Sequence, residues 1–256
     1  MKAYVIPIEK ACNAKCPFCI TNYKNDIDFG TTLDIENLHK LEALDLDKIE
    51  ITGGGEPFLH PKIDEIINFC AKKTSTQIYT NGSMLSKCKV FDKLSYLCIS
   101  RAHYDDKKNE EIMGIKMDMP FEEINAPIKL SLVLCKSGIS RIGEVVNYIK
   151  WAKGQGVKKV VIRSIFEYDP SSIILSYQKL IGKEQIDMVS KRKMMAILFK
   201  KILLDANSPD NDYFIYEGME VEIEGRTCAC EAFYPVLRAN GKVYVGWTNK
   251  LWIDNE

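Results

Sequence analysis

The chain has 256 residues, of which 46% are aliphatic, aromatic or cysteine and 27% are charged, with 35 basic residues balancing 35 acidic ones. This composition is typical of a globular protein and excludes an intrinsically disordered chain. A net charge of zero provides no domain-wide basic field, so the composition does not support a nucleic-acid partner. The length fits one barrel-type domain, since (β/α) barrels typically run to about 250 residues.

Targeting signals and cysteine usage indicate the compartment. No apolar run approaches the roughly 18 residues of a membrane span, and residues 1–7 lack the long apolar segment of a signal peptide. We therefore expect a cytoplasmic protein with no membrane partner. Nine cysteines in such a chain favour reduced thiols and metal ligands over a disulfide framework. Cys70, Cys98 and Cys135 lie in apolar periodic segments and are predicted to be buried core thiols.

Short apolar strand patterns alternate with helical patterns along the first two thirds of the chain. The strands are predicted at residues 2–8, 48–52, 76–80, 96–100, 128–135 and 159–165, and the helical patterns at residues 33–46, 63–70, 85–94, 105–115 and 142–152. Six such repeats predict an α/β fold with a parallel sheet and helices outside it. Eight repeats would close a TIM barrel, so we expect a partial (β/α)6 TIM-type barrel.

The last third of the chain changes character. A helix is predicted near residues 186–204, and its run of basic residues is interpreted as a solvated face. Residues 221–224, 233–238 and 242–247 are predicted to be short antiparallel strands, with a hairpin turn at Asn240-Gly241. We therefore predict a barrel over residues 1–205 and a short C-terminal β-rich cap over residues 206–256.

Three cysteines follow the first predicted strand in a C-x3-C-x2-C array, Cys12, Cys16 and Cys19. Their close spacing lets them bind one metal centre with little loop-closure entropy. A structural zinc site takes four protein ligands and an iron–sulfur cluster usually takes four cysteines, so a fourth ligand is missing here. The residues alone leave open a zinc knuckle completed by a distant ligand and a simple electron-transfer cluster.

A glycine run, Gly53-Gly54-Gly55-Glu56-Pro57, follows the second predicted strand. It is either a glycine-rich turn or a backbone that must approach a ligand closely. Its position at the C-terminal end of a strand, where barrel active sites gather, favours the second interpretation.

Together these two motifs resemble the radical S-adenosylmethionine (SAM) superfamily, including an aromatic residue, Phe18, before the last cysteine. The resemblance covers about residues 1–165. It implies a [4Fe–4S] cluster on the three cysteines, with one iron left to chelate the amino and carboxylate groups of SAM. It also implies that Gly54, Gly55 and Glu56 bind the SAM amino group and that Phe18 lies near the adenine.

Polar residues at other strand ends are weaker candidates, because each could equally be a polar residue on the barrel rim. Ser100 lies where the family usually places a ribose-binding group, Asn81 is a further pocket candidate, and Arg163 is placed to meet the SAM carboxylate or a substrate anion. His103 and Asp105 follow the fourth strand and are predicted to assist proton transfer to the substrate. Further loop candidates for substrate contact are Asn22, Tyr23, Asp26 and Tyr168.

Cys228 and Cys230 raise the question of a second cluster. Family members with auxiliary clusters carry many cysteines in a C-terminal extension, whereas this chain has two cysteines there and Trp247 where another would be expected. Two thiolates cannot fill four ligand positions, so we expect no second cluster.

The resemblance implies a reaction. Reduced flavodoxin or ferredoxin would supply an electron, SAM would be cleaved to methionine and a 5′-deoxyadenosyl radical, and that radical would take a hydrogen atom from a small-molecule substrate. Size and layout are similar to the 7-deazaguanine and queuosine branch, including queuine lyases. The alternatives are a peptide maturase, a glycyl-radical activating enzyme, and a non-catalytic iron–sulfur electron carrier or sensor.

Overall fold

The computed structural model describes residues 1–19, 30–164, 213–216, 218–224, 234–246 and 250–252. None of the helices in these ranges is both long enough and apolar enough to cross a bilayer. The helix predicted near residues 186–204 lies outside the described residues, and so does the boundary predicted at residue 205.

The six predicted barrel strands are all present and form one parallel sheet in chain order. They are β1 (Lys2–Val5), β2 (Lys48–Ile51), β3 (Ser75–Thr80), β4 (Tyr96–Ser100), β5 (Ile128–Leu134) and β6 (Lys159–Ser164). The predicted α/β class is confirmed. Parallel pairing places the C-terminal ends of all six strands, and hence the loops that follow them, at one edge of the sheet.

The described residues contain three α-helices: α1 (Ile63–Lys73), α2 (Asp106–Met113) and α3 (Ile142–Gly154). Apolar residues of the strands join those of α1 and α3 in one core, represented by Ile78, Leu130, Ile66 and Ile149, each no more than 1% exposed. Cys70, Cys98 and Cys135 are buried, as predicted.

Two helical predictions differ from the structure. Residues 33–46 contain only a 3-10 helix, Ile35–Leu41, and residues 85–94 contain two single 3-10 turns. In an α-helix the Lys89 N–H would bond the carbonyl of Leu85. Here it donates instead to the carboxylate of Asp64, while the Asp118 carboxylate accepts from the Leu85 N–H at 2.7 Å. Acceptors supplied by distant segments therefore stop the helix from forming.

The C-terminal segment is β-rich, as predicted, but its strands extend the barrel sheet at both edges. They are β7 (Tyr213–Tyr216), β8 (Met219–Glu224), β9 (Pro235–Leu237) and β10 (Val243–Val245). β8 pairs in parallel with β6 and β9 pairs in parallel with β1, while β7 and β10 form the antiparallel arms of two hairpins. Gly241 has φ +74° in the predicted turn between β9 and β10, a conformation that favours glycine. The two hairpins thus border the opening between β1 and β6.

Candidate active site

The cysteine loop follows β1 and rests against α2. The Lys15 N–H donates to the Met113 carbonyl at 2.7 Å, and the Cys19 N–H donates to the Cys16 carbonyl at 3.2 Å. Cys16 and Phe18 pack with Ala14 against a small apolar cluster of Ala102, Met113 and Ile115. Phe18 is therefore partly buried beneath the loop, and its predicted position beside the adenine stays a prediction.

The three thiols lie close enough to influence each other. Burial is the main cause that raises the pKa of Cys16 to about 12, and the charges of Cys19 and Cys12 contribute to the same rise. Partial burial of the thiol also raises the pKa of Cys12, although the residue as a whole is exposed. Because the thiolate is the metal ligand, bound iron would have to stabilise the charged form of each sulfur.

In the described residues no three Cys, His, Asp or Glu side chains converge on one point, as the ligands of a single metal ion would. A cubane cluster instead binds each thiolate to a different iron, so its ligands need not converge.

The glycine run docks against the start of the cysteine loop. The Lys10 N–H donates to the Gly54 carbonyl at 3.0 Å, and the Glu56 N–H donates to the Ala11 carbonyl at 2.9 Å. A Cβ on Gly54 would lie 2.1 Å from Glu9 Oε2, and a Cβ on Gly55 would lie 1.9 Å from the Ala11 carbonyl oxygen. Gly55 therefore permits a close approach of two protein backbones, and Gly54 leaves room for the Glu9 carboxylate.

Glu56 is only 2% exposed and is held by three protein donors. Its Oε1 accepts from the Phe58 N–H at 3.1 Å and from Thr80 Oγ1 at 2.7 Å, while its Oε2 accepts from the Asn81 N–H at 2.7 Å. Burial raises the pKa of Glu56, and these hydrogen bonds act in the opposite direction. Glu56 also caps the short 3-10 helix Pro57–Leu59, so it fixes the shape of its own loop.

Asn81 connects Glu56 to the cysteine loop. Its backbone binds the Glu56 carboxylate, and its Nδ2 donates to Asn13 Oδ1 at 2.8 Å and lies 3.8 Å from Cys12 Sγ. Its Oδ1 in turn accepts from the Ser83 N–H. The structure thus brings the predicted residues Cys12, Glu56 and Asn81 together.

Ser100 and Arg163 lie on strands β4 and β6 of the sheet. Ser100 ends β4 beside Ser131 of β5. Arg163 is half-buried on β6, where its NH1 donates to Ser131 Oγ at 2.9 Å and its guanidinium carbon lies 5.4 Å from the ring centre of Tyr79. Their roles in SAM binding stay predictions.

His103 and Asp105 have structural contacts. His103 is buried, its Nδ1 accepts from the Asp105 N–H at 2.9 Å, and its ring lies against Tyr104. Asp105 caps α2 by accepting from the Lys108 N–H at 2.9 Å, which lowers the pKa of its exposed carboxyl. Both residues therefore help to shape the turn that positions α2 beneath the cysteine loop, and their catalytic role stays a prediction.

The remaining predicted residues, Asn22, Tyr23, Asp26, Tyr168, Cys228 and Cys230, lie outside the described residues.

A buried ion pair was not anticipated from the sequence. Arg238, after β9, donates to Glu9 Oε1 at 2.9 Å, and both side chains are under 10% exposed. Burial raises the pKa of Glu9 while Arg238 lowers it. Since Glu9 lies directly over Gly54, this pair links the C-terminal hairpin to the glycine run.

These residues suit the two implied cofactors. The cysteine loop supplies three thiol ligands on one side of the Glu56 loop. A carboxylate oxygen accepts about two hydrogen bonds, and among the described residues Glu56 Oε1 has two donors whereas Oε2 has one. Oε2 therefore retains one acceptor position for an ammonium group.

Comparison with known proteins gives a consistent result. A model of the radical SAM superfamily matches residues 6–165, more than half of the chain. An uncharacterised protein of Methanocaldococcus jannaschii is 26% identical over 173 residues, 58% of each chain. The GTP 3′,8-cyclase of Chlorobaculum tepidum is 38% identical over 91 residues, which are 32% of this chain and 26% of that enzyme. The chain thus spans less than two thirds of the length of these relatives.

Among solved structures, Streptococcus suis SuiB has been determined with S-adenosylmethionine and with its precursor peptide SuiA. These two structures match with TM-scores of 0.67 and 0.68 at 17% identity, over 94% of this chain and 59% and 58% of SuiB. At this identity the likeness shows a shared fold. The family match and the shared fold place this chain in the radical SAM superfamily, whose cofactors are a [4Fe–4S] cluster and S-adenosylmethionine.

Proposed function

We propose that Cys12, Cys16 and Cys19 bind the cluster, that Gly54, Gly55 and Glu56 bind SAM beside it, and that the enzyme takes a hydrogen atom from a small molecule. The main support is the contact between the two motifs, in which Glu56 is hydrogen-bonded to the backbone before Cys12 and joined to Cys12 through Asn81. When bound, the reduced cluster would supply the electron for reductive cleavage of SAM.

The protein's own residues orient these groups. The buried Glu56 carboxylate is fixed by three donors, so it holds the SAM ammonium in one position at little further cost in side-chain entropy. The Asn81 amide donates towards Cys12, which stabilises negative charge on that sulfur. Phe18, Ser100 and Arg163 are proposed to contact the adenine, the ribose and the SAM carboxylate or a substrate anion, respectively.

Electron delivery is proposed to come from reduced flavodoxin or ferredoxin. Cys12 is exposed while Cys16 and Cys19 are half-buried, which leaves one side of the cysteine loop accessible to a docking protein.

We propose that the substrate is a 7-deazaguanine-type base, such as queuine, and that the enzyme is a lyase that cleaves a bond of this base. The name of the Chlorobaculum tepidum relative gives GTP as its substrate, which supports a small guanine-like molecule as a class. His103 and Asp105 are proposed to assist proton transfer. A peptide substrate is the second candidate, since the SuiB structure contains a precursor peptide, although that likeness extends only to the fold.

The SAM site is tested by Glu56→Gln in anaerobically reconstituted protein. The substitution removes the charge that faces the ammonium, and hydrogen bonds to charged groups contribute about 1.5–3 kcal/mol, so SAM affinity by calorimetry should fall at least about tenfold. Thr80→Ser, which keeps the hydroxyl that binds Glu56, is the matched control and should bind SAM normally. Equal iron content in all three proteins shows that the cluster is intact, and unchanged affinity in Glu56→Gln would refute the assignment.

The substrate is tested by the rate of 5′-deoxyadenosine release with queuine, GTP or peptides added separately. Stimulation by queuine or a related base supports the proposed class. Stimulation by a peptide with none by any deazapurine favours the maturase alternative.

A further inference from the structure

The end of strand β3 contacts both of the proposed cofactor sites. Thr80 and the backbone of Asn81 bind the Glu56 carboxylate, whereas the side chain of Asn81 donates towards Cys12. The backbone contact is available to any residue at position 81 except proline, so it does not explain why an amide side chain stands there. The side chain has contacts of its own, which indicate a separate role.

Three polar side chains form a closed ring of hydrogen bonds at this point. Asn81 Nδ2 donates to Asn13 Oδ1 at 2.8 Å, Asn13 Nδ2 donates to Ser83 Oγ at 2.7 Å, and Ser83 Oγ donates to Asn81 Oδ1 at 2.7 Å. Asn13, Ser83 and Asn81 are called the polar ring below. Asn13 lies in the cysteine loop and the other two residues follow β3, so the polar ring joins these two segments.

A backbone donor fixes the direction of the polar ring. The Ser83 N–H can only donate, and it bonds Asn81 Oδ1 at 2.9 Å. The oxygen of the Asn81 amide must therefore face Ser83, which leaves its NH2 group on the opposite side. One hydrogen of this group bonds Asn13, and the other is directed at Cys12 Sγ, which lies 3.8 Å from Nδ2. Both acceptor positions and both donors of the amide are thus used, which holds it in one orientation.

The sulfur of Cys12 has two donors in the part of the chain that the structure describes. They are the Ala14 N–H at 3.4 Å and Asn81 Nδ2 at 3.8 Å. The first is a backbone contact within the cysteine loop, whereas the second comes from another segment and needs a particular side chain. Asn81 is only 9% exposed, so water competes little with its N–H for the sulfur.

A donor at a ligand sulfur affects the two oxidation states of an iron–sulfur cluster unequally. The reduced state carries one more negative charge, part of which lies on the sulfurs, so it gains more from an N–H donor than the oxidised state does. Such a donor therefore raises the reduction potential of the cluster.

We propose that Asn81 is a positioning residue for electron transfer, which raises the reduction potential of the cluster through its hydrogen bond to Cys12. Asn13 and Ser83 hold the Asn81 amide in the orientation that this bond requires. The inference rests on the proposed function, because it takes Cys12 as a cluster ligand. A raised potential would make the cluster easier to reduce by flavodoxin or ferredoxin.

The test is a redox titration of the anaerobically reconstituted full chain without SAM, followed by absorbance and by the electron paramagnetic resonance of the reduced cluster. Asn81→Leu removes the donor at similar side-chain volume. At a fixed potential, the ratio of reduced to oxidised cluster should fall at least threefold, a shift of about 28 mV to lower potential for a one-electron couple. Ser83→Ala is the matched control. It opens the polar ring but keeps the backbone N–H that orients the Asn81 amide, so its potential should match that of the wild type.

A second variant guards against loss of the cluster from Asn81→Leu. Asn81→Asp keeps the acceptor for the Ser83 N–H and places an oxygen in place of the N–H beside Cys12, so its potential should fall at least as far as that of Asn81→Leu. Both Asn81→Leu and Ser83→Ala lose hydrogen bonds of the polar ring and should have a lower Tm, so a purely structural role would not separate them.

The outcomes separate this inference from the proposed function. A wild-type potential in Asn81→Leu, an equal shift in Ser83→Ala, or loss of the cluster from both Asn81 variants would overturn the inference alone, provided that the wild type binds a cluster and cleaves SAM. A wild type that binds no cluster would refute the proposed function and this inference with it.

Discussion

Gly55→Ala tests whether the two motifs depend on close backbone contact. A Cβ at this position would lie 1.9 Å from the Ala11 carbonyl oxygen, whereas real Cβ atoms essentially never approach closer than 3.0 Å. The glycine run and the cysteine loop must therefore separate by about 1.1 Å. Gly55 does not have a positive φ, so the effect is one of space and not of backbone conformation.

The magnitude follows from the hydrogen bonds that join these segments. The Glu56 N–H to Ala11 bond of 2.9 Å would lengthen to about 4 Å and be lost, and the Lys10 N–H to Gly54 bond would weaken with it. At about 1 kcal/mol each, the free energy of unfolding should fall by about 2 kcal/mol. For a chain of this size that corresponds to a decrease in Tm of about 4 to 8 °C. SAM affinity should also fall, because Glu56 moves relative to the cysteines.

Thermal unfolding and SAM calorimetry on the reconstituted variants provide the assay. The control is Gly143→Ala, at a helical position of α3 where a Cβ meets nothing within 4 Å. Because alanine favours helix by up to about 1 kcal/mol over glycine, this variant should be as stable as the wild type or slightly more so. A Gly55→Ala protein with wild-type Tm and SAM affinity would refute the reasoning.

Three further predictions concern other parts of the molecule. Burial lowers the pKa of His103 below its ordinary value of 6.5, so the stability that this residue contributes is present above pH 6.5 and is lost as the pH falls towards the lowered pKa. His103→Asn keeps an acceptor for the Asp105 N–H but does not titrate in this range. Its denaturant midpoint should therefore fall less than that of the wild type between about pH 8 and pH 5. Arg238→Met should destabilise the protein by about 3–5 kcal/mol because it leaves the Glu9 carboxylate buried without its cation, and the double variant with Glu9→Gln should recover part of this in urea unfolding. Changing Cys228 and Cys230 together to serine should leave the iron content unchanged, and a loss of about four irons per chain would show a second cluster.

The barrel strands could be predicted because β-branched and other apolar residues recur in short segments that are bounded by glycine, proline or polar residues, as in Lys48–Ile51 before Gly53. The positions of the two motifs in the sequence also predicted that they follow the C-terminal ends of the first and second strands. The helix expected at residues 85–94 failed because its backbone donors are taken by Asp64 and Asp118, which lie 25 and 33 residues from the donors they bind. Local periodicity contains no information about such acceptors.

Ion pairs between residues far apart in the chain could not be predicted from the sequence, for the same reason. Glu9 and Arg238 are 229 residues apart and meet only because β9 pairs with β1. The two faces of β5 could be distinguished in the sequence, since Lys129 and Ser131 alternate with Leu130 and Leu132. That alternation shows which residues share a face, but the carboxylates that pair with Lys159 of β6 depend on the tertiary structure.

The most direct measurement for the central claim is 5′-deoxyadenosine and methionine production from SAM by anaerobically reconstituted protein under a strong reductant, together with its iron content. We predict about four irons per chain and both products in equal amounts, with Cys16→Ala losing iron and product together. Stoichiometric zinc without iron in protein prepared in the absence of oxygen, or a fully loaded cluster that binds no SAM and releases no 5′-deoxyadenosine, would contradict the account.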